Sequence, residues 1–295
     1  METIESLRRK IEVSQELWEV VKTMKTIAAV SIRQYEKAVA SLHQYSHTVE
    51  LGMQIVMRGH KEEGPHPRPS PGRRLGAIMF GSELGMCGQF NAVLVSFALD
   101  KFSELHVAQK DRSIMVVGAR AVSRLKEAGE QVESYFPVPG SVRGITAQVQ
   151  ELLLKIESWQ CPGGVERIML FHHQPVSGAV YRPQAVSLLP MDMDWLASLG
   201  QKPWPSRVLP TYTMARPRLV YALLGQYLFV SLYRAFAESL ASENAARLAA
   251  MQAAENNIED RLKELRLQYN QLRQSSITEE LLDIMAGFEA LTGKY

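Results

Sequence analysis

Cysteine is nearly absent from this sequence: Cys87 and Cys161 are the only two. Two thiols make neither a disulfide framework nor a metal-ligand spacing, so a reducing compartment is expected. Charge of one sign is missing as well. Lys and Arg number 33 against 31 Asp and Glu, a net +2, so charge points neither to nucleic acid nor to an anionic membrane surface. No unbroken run of about eighteen apolar residues is present, and no bilayer-spanning segment is expected. The opening METIESLRRKIE lacks the apolar stretch of a signal peptide and the acid-poor character of a transit peptide. The expected place is therefore the cytosol, or a membrane reached only through partners. Neither a Gly-Lys-Ser/Thr loop nor Gly-x-Gly-x-x-Gly occurs, which removes the two commonest phosphate-cradling motifs.

Proline is missing from residues 1–59, and the first glycine there is Gly52. What fills that stretch is a heptad pattern. One set of positions is Ile4, Ile11, Trp18, Lys25, Ile32, Val39, Ser46 and Met53. The other is Leu7, Ser14, Val21, Ala28, Tyr35, Leu42, Val49 and Val56. Only Ser14, Lys25 and Ser46 interrupt it. A period near 3.5 keeps a narrow seam facing one partner helix, so the segment is expected to be a coiled-coil helix of roughly 80 Å. Lys25 sits in that seam, where a cation must reach the edge or find a partner.

Residues 60–72 form a proline-rich linker, with Pro65, Pro67, Pro69 and Pro71 in alternation; they favour an extended chain. From 73 to 210 the period changes. Leu75 to Phe80, Ile114 to Val117, Val132 to Phe136 and Ile168 to Phe171 read as short buried strands, and Val176 to Leu189 as a further one. Phe90 to Leu105, Ala119 to Ala128 and Thr146 to Trp159 read as helices. This alternation predicts a small α/β domain with a largely parallel sheet.

Residues 211–295 are again helical, with no proline after Pro217. One seam runs Met251, Ile258, Leu262, Leu265, Tyr269, Leu272. A second, shifted by one residue, runs Ile277, Leu281, Ile284, Phe288, Leu291. Alanines 245, 246, 249, 250, 253 and 254 either let a partner helix approach closely or serve simply as good helix formers. The fold class expected is an α/β domain inserted between two long terminal helices that form an antiparallel coiled coil. The long loop this closes costs little, because closure entropy grows only logarithmically.

Chemistry is sparse. Gly81, Gly85 and Gly88 follow a predicted strand, where a phosphate loop belongs, but the spacing favours a tight turn. Cys87 in that turn has no implied base beside it and reads as a buried thiol. His172 and His173 are adjacent on a strand, point to opposite faces and do not share a metal. His43 and His47 stand one helical turn apart without a third ligand. No catalytic, metal or cofactor site is expected.

Four segments carry a resemblance. Residues 22–31, KTMKTIAAVS, are similar to the N-terminal helix signature of F-type ATP synthase gamma subunits. Residues 239–254, SLASENAARLAAMQAA, and 269–291, YNQLRQSSITEELLDIMAGFEAL, resemble that family's C-terminal signature. Residues 81–91, GSELGMCGQFN, resemble its central Gly-Leu-Cys-Gly stretch. The resemblance implies a central rotor that turns inside a hexamer of alpha and beta subunits and couples proton or sodium flow to ATP synthesis or hydrolysis. It implies an epsilon subunit and a membrane ring of c subunits as further partners. The place implied is the cytoplasmic face of the bacterial plasma membrane, peripheral and without insertion. It also implies that Met24, Lys25, Arg273, Gln274, Thr278 and Glu280 lie beside catalytic-subunit loops. The sequence departs from the family at Glu83-Leu84, at Gln89-Phe90 and in the basic stretch TYTMARPR, residues 211–218, which marks a divergent branch. Two other classes compete: a coiled-coil scaffold with an α/β head, distinguished by what co-purifies, and an enzyme on the α/β domain, distinguished by nucleotide binding.

Overall fold

A computed structural model describes residues 3–58, 74–159, 164–177 and 180–292. The proline-rich linker and Cys161 lie outside the described residues. The chain divides into two compact units, Met1–Ile27 with Leu248–Tyr295, and Ala28–Arg247. Two long helices contribute to both: α1, Ile4–Met57, and α6, Arg216–Thr292.

The larger unit holds a five-stranded sheet. Its strands are β1 Leu75–Phe80, β2 Arg112–Val117, β3 Ser134–Phe136, β4 Arg167–Ser177 and β5 Val180–Leu189, in spatial order β3-β2-β1-β4-β5. All pairs are parallel except β4 with β5. Both sheet faces are covered, which is why β1, LGAIMF, is apolar along its whole length and not alternating. Leu75, Ala77 and Met79 face α2, Phe90–Glu104, and α3, Ala119–Glu127. Ile78 and Phe80 face α4, Val142–Trp159, together with α6 and Tyr35 of α1. A third cluster joins Leu42, Val49 and Met53 of α1 to Val230 of α6 and to Leu196 and Leu199 of α5, Met193–Gln201. In this unit α1 and α6 run antiparallel: Tyr45 bonds Gln226 at 2.6 Å, and Arg216 Nε donates to Val56 O at 3.2 Å.

In the smaller unit the same two helices pair through Leu7, Val21, Met251, Leu262 and Leu265, all buried. Along α1 as a whole, seven of the eight residues of the Leu7 heptad set are buried, while seven of the eight in the Ile4 set are half-buried. The seam therefore faces its partner edge-on along one set. The second α6 seam behaves differently: Ile277, Leu281 and Ile284 are exposed.

Residues 219–236 of α6 reach a mean hydropathy of 1.3, enough by length and composition to cross a membrane. Gln226 and Arg234 interrupt the run, so it does not stand out as continuous. Its later half is a protein-core helix, with Val230, Leu232, Ala235 and Phe236 buried. The earlier half alternates between half-buried positions, Leu223 and Tyr227 among them, and exposed ones such as Tyr221.

Candidate partner-binding surfaces

Open α/β sheets bind ligands outside the carboxyl ends of their strands, where the strand order reverses. Here that place lies between β1 and β4. Helix α6 occupies it. Ser239 Oγ donates to Phe80 O at 2.8 Å, Ser242 Oγ donates to His173 O at 3.3 Å, and Glu238 Oε2 lies 3.0 Å from His172 Nε2. The turn after β1 spends its own donors internally. Gly81 N donates to Val117 O at 2.8 Å, and Ser82 N to Asn91 Oδ1 at 3.0 Å. Gly81 is required by crowding, since a Cβ there would stand 2.4 Å from that of Ala121.

Cys87 is buried in this turn, 3.5 Å from Ser82 Oγ and 3.6 Å from Asn91 Nδ2. Burial pushes its thiol above the ordinary range, so it is a poor nucleophile. His172 and His173 do face opposite ways: His173 Nε2 donates to Phe90 O at 2.9 Å, and burial pushes this imidazole down to about 4. Glu243 is buried beside Arg247 at 2.6 Å; desolvation pushes its carboxyl up, and Arg247 opposes the shift. Glu83, a departure from the family pattern, accepts from Tyr135 Oη at 2.6 Å and from Val138 N at 3.2 Å. That bond pushes the Tyr135 phenol up to about 12. Among the described residues no cluster of three or more His, Cys, Asp or Glu is placed to hold a metal.

The six residues implied as partner contacts all fall in the smaller unit, at two places. Met24 and Lys25 are half-buried on α1. Lys25 Nζ donates to Glu255 Oε2 and, at 3.2 Å, to Gln252 Oε1, so the seam cation has its partner on α6. Arg273, Gln274, Thr278 and Glu280 are exposed some twenty or more residues further along α6, on the order of 30 Å away at 1.5 Å per residue. Thr278 Oγ1 donates to Gln274 O at 2.9 Å, one turn back. The structure does not bring the two groups together.

The structure adds residues that the sequence motifs do not mark. Val13, Leu17, Val20 and Ile27 are each more than half exposed, and with Met24 they form a second apolar stripe at heptad spacing. This stripe sits one residue behind the seam facing α6, and that offset is the signal by which sequence alone reveals it. Trp18 Nε1 donates to Glu259 Oε1 at 3.2 Å, and Lys22 Nζ lies 4.4 Å above the Trp18 ring. The Trp18 and Lys25 bonds to α6 fix the register of the two helices from side to side.

The family described as ATP synthase matches residues 3–291. The chain is similar to the ATP synthase gamma chain of Syntrophus aciditrophicus, 27% identical over 304 residues that cover 99% of each chain. It is similar to that of Trichormus variabilis at 26% over 322 residues, covering 99% of this chain and 100% of the other. Its fold is similar to a chain of the Euglena gracilis mitochondrial ATP synthase OSCP/F1/c-ring assembly in rotational state 3. The TM-score is 0.66 at 18% identity, over 98% of this chain and 95% of that one. A chain of the rotor of the Euglena gracilis enzyme in rotational state 1 gives 0.64 at 16% identity, over 93% and 98%.

Proposed function

Since the chain belongs to the ATP synthase family, among its gamma chains, we propose that it is the central-stalk rotor of an ion-driven synthase and carries no catalytic centre itself. The observation that carries the reading is the match over nearly the whole chain to gamma chains, borne by two long antiparallel helices that flank an α/β domain.

A rotor drives catalysis by touching three equivalent sites unequally, so that each takes a different conformation at any moment; only differential contact shifts such an equilibrium. The smaller unit is suited to this. Its exposed side chains differ around and along the helices, from the Val13–Ile27 stripe to the polar Arg273–Glu280 segment and the apolar turns after it. Met24, Lys25, Arg273, Gln274, Thr278 and Glu280 are the proposed contacts with alpha- and beta-subunit loops. The α/β domain and the first turns of α6 are proposed to meet the epsilon subunit and the membrane ring. The chain would thus lie at the cytoplasmic face of the bacterial plasma membrane, held through its partners. The filled crevice between β1 and β4 supports the absence of a nucleotide site in this chain.

The test is capture of the full chain from its own cells, followed by an ATPase assay and identification of what accompanies it. An ATP-hydrolysing hexamer that contains the chain is the expected result. Recovery of the chain with unrelated partners and no ATPase overturns the rotor reading in favour of a scaffold.

A further inference from the structure

In the smaller unit the two faces of α1 are arranged against the hydrophobic preference. Over residues 13–28 the face turned to α6 carries Ser14, Trp18, Val21, Lys25 and Ala28, whereas the stripe one residue behind it carries Val13, Leu17, Val20, Met24 and Ile27. Every residue of the stripe is a sizeable apolar one; the seam includes a serine, a lysine and an alanine. Yet Val13, Leu17, Val20 and Ile27 are more than half exposed, while Val21 and Ala28 are buried. Burial free energy follows apolar area. A roll of α1 by one residue, about 100° around its axis, would set the stripe on the buried α6 seam of Met251, Leu262 and Leu265 and gain area. The helix does not take that rotation.

Trp18 and Lys25 stand one heptad apart on one flank of the seam, both half-buried. Lys25 Nζ donates to Glu255 Oε2 and Gln252 Oε1, and Trp18 Nε1 donates to Glu259 Oε1. Glu255 is only 7% exposed. The roll would carry both donors off their acceptors and leave the Glu255 carboxylate without its cation in a mostly dry place. Stripping a buried ion pair of one partner is strongly destabilising, although the intact pair adds little stability itself. Such a pair selects one arrangement against another more than it strengthens either. We infer that Trp18, Lys25, Gln252, Glu255 and Glu259 are positioning residues, whose bonds hold α1 in the rotation that keeps its more apolar face outward, in reach of the alpha and beta subunits. The inference rests on the rotor reading for what meets the stripe, and adds to it what keeps the stripe available.

The first readout is hydroxyl-radical footprinting of the free full chain. In the parent, Leu17, Val20 and Ile27 are expected to oxidise as exposed side chains do. The Glu255→Leu, Glu259→Leu variant withdraws both carboxylates and makes the α6 seam more apolar, so oxidation of those three is expected to fall about three-fold as they turn inward. The second readout is binding to the alpha and beta subunits, expected to weaken about ten-fold in this variant with the loss of that face. Glu255→Lys alone is expected to protect the stripe as well. Lys25→Glu added to it rebuilds the pair with its charges exchanged and is expected to restore the parent footprint. This second set decides the matter if the leucine variant does not fold. An unchanged footprint in a folded variant, or no recovery on charge exchange, overturns the inference. Protection of the stripe without loss of binding also overturns it, since the stripe then serves no partner. A parent chain that binds no hexamer at all sinks the rotor reading instead, a separate and visible outcome.

Discussion

Lys25 shows how far a single residue is readable from sequence. The heptads place it in a seam, and the cost of a cation there follows at once. Its answer, Glu255 with Gln252, needs the register between helices that begin more than two hundred residues apart, which no local pattern supplies. Glu255 is nearly buried and Lys25 about three-quarters so. Glu255→Ala therefore leaves an ammonium without its main partner in a partly dry place and is expected to cost about 1–3 kcal/mol, discounted for the exposed part of Lys25. Lys25→Met in that background should recover much of the loss, read as a double-mutant cycle of urea unfolding. His173 gives a pH prediction. The folded chain holds it neutral down to about 4, whereas the unfolded chain takes up the proton near 6.5. A depressed histidine leaves stability intact above 6.5 and removes it as pH falls from 6.5 toward 4, here on the order of 3 kcal/mol. His173→Gln should flatten that part of the profile relative to the parent, measured by urea unfolding at pH steps between 7 and 4. Parallel profiles would show that the histidine is not held neutral by its burial.

At the scale of elements, period was the reliable signal. The seam of α1 and the run of β1 were legible because each has a strict repeat and a bounded length. Helix α5 was not legible: it has nine residues, lies between Pro190 and Pro203, and announces itself only by Asp192, whose carboxylate caps the backbone N–H groups of Asp194 and Trp195. The second seam of α6 is legible as apolar, but what it faces is not: Ile277, Leu281 and Ile284 are exposed in the chain by itself. An apolar periodicity records that a face is covered, not by which molecule. The turn after β1 was legible as a turn, yet its reason is packing. Gly81→Ala forces a methyl to within 2.4 Å of Ala121 Cβ and 2.8 Å of Asn91 Oδ1. An expected destabilisation of about 1–3 kcal/mol follows from overpacking where β1 meets α2 and α3. Thermal unfolding checks it, and a variant as stable as the parent would mean that α3 shifts away without cost.

At the scale of the whole molecule, what the chain does depends on surfaces that contribute nothing to its own folding. Met24→Arg and Thr278→Arg alter exposed or half-exposed positions, so assembly with the hexamer should persist. Coupling, the ratio of ATP made to ions passed, should fall, and equal ratios in variant and parent would remove these residues from the proposed contact set. The apolar turns near the end of α6 allow a sharper separation. Leu281 and Ile284 are 56% and 69% exposed, and serine at such positions removes little buried surface, so the isolated chain should unfold within about 0.5 kcal/mol of the parent. If a hexamer encloses this end, each side chain instead loses its remaining water on assembly, worth on the order of 1–2 kcal/mol apiece at about 25 cal/mol per Å². The Leu281→Ser, Ile284→Ser double variant should then bind the alpha and beta subunits roughly thirty- to several-hundred-fold more weakly while its melting temperature as a free chain stays put. A loss of stability without a loss of assembly would reverse the assignment, making these turns part of the chain's own core and not of a bearing surface.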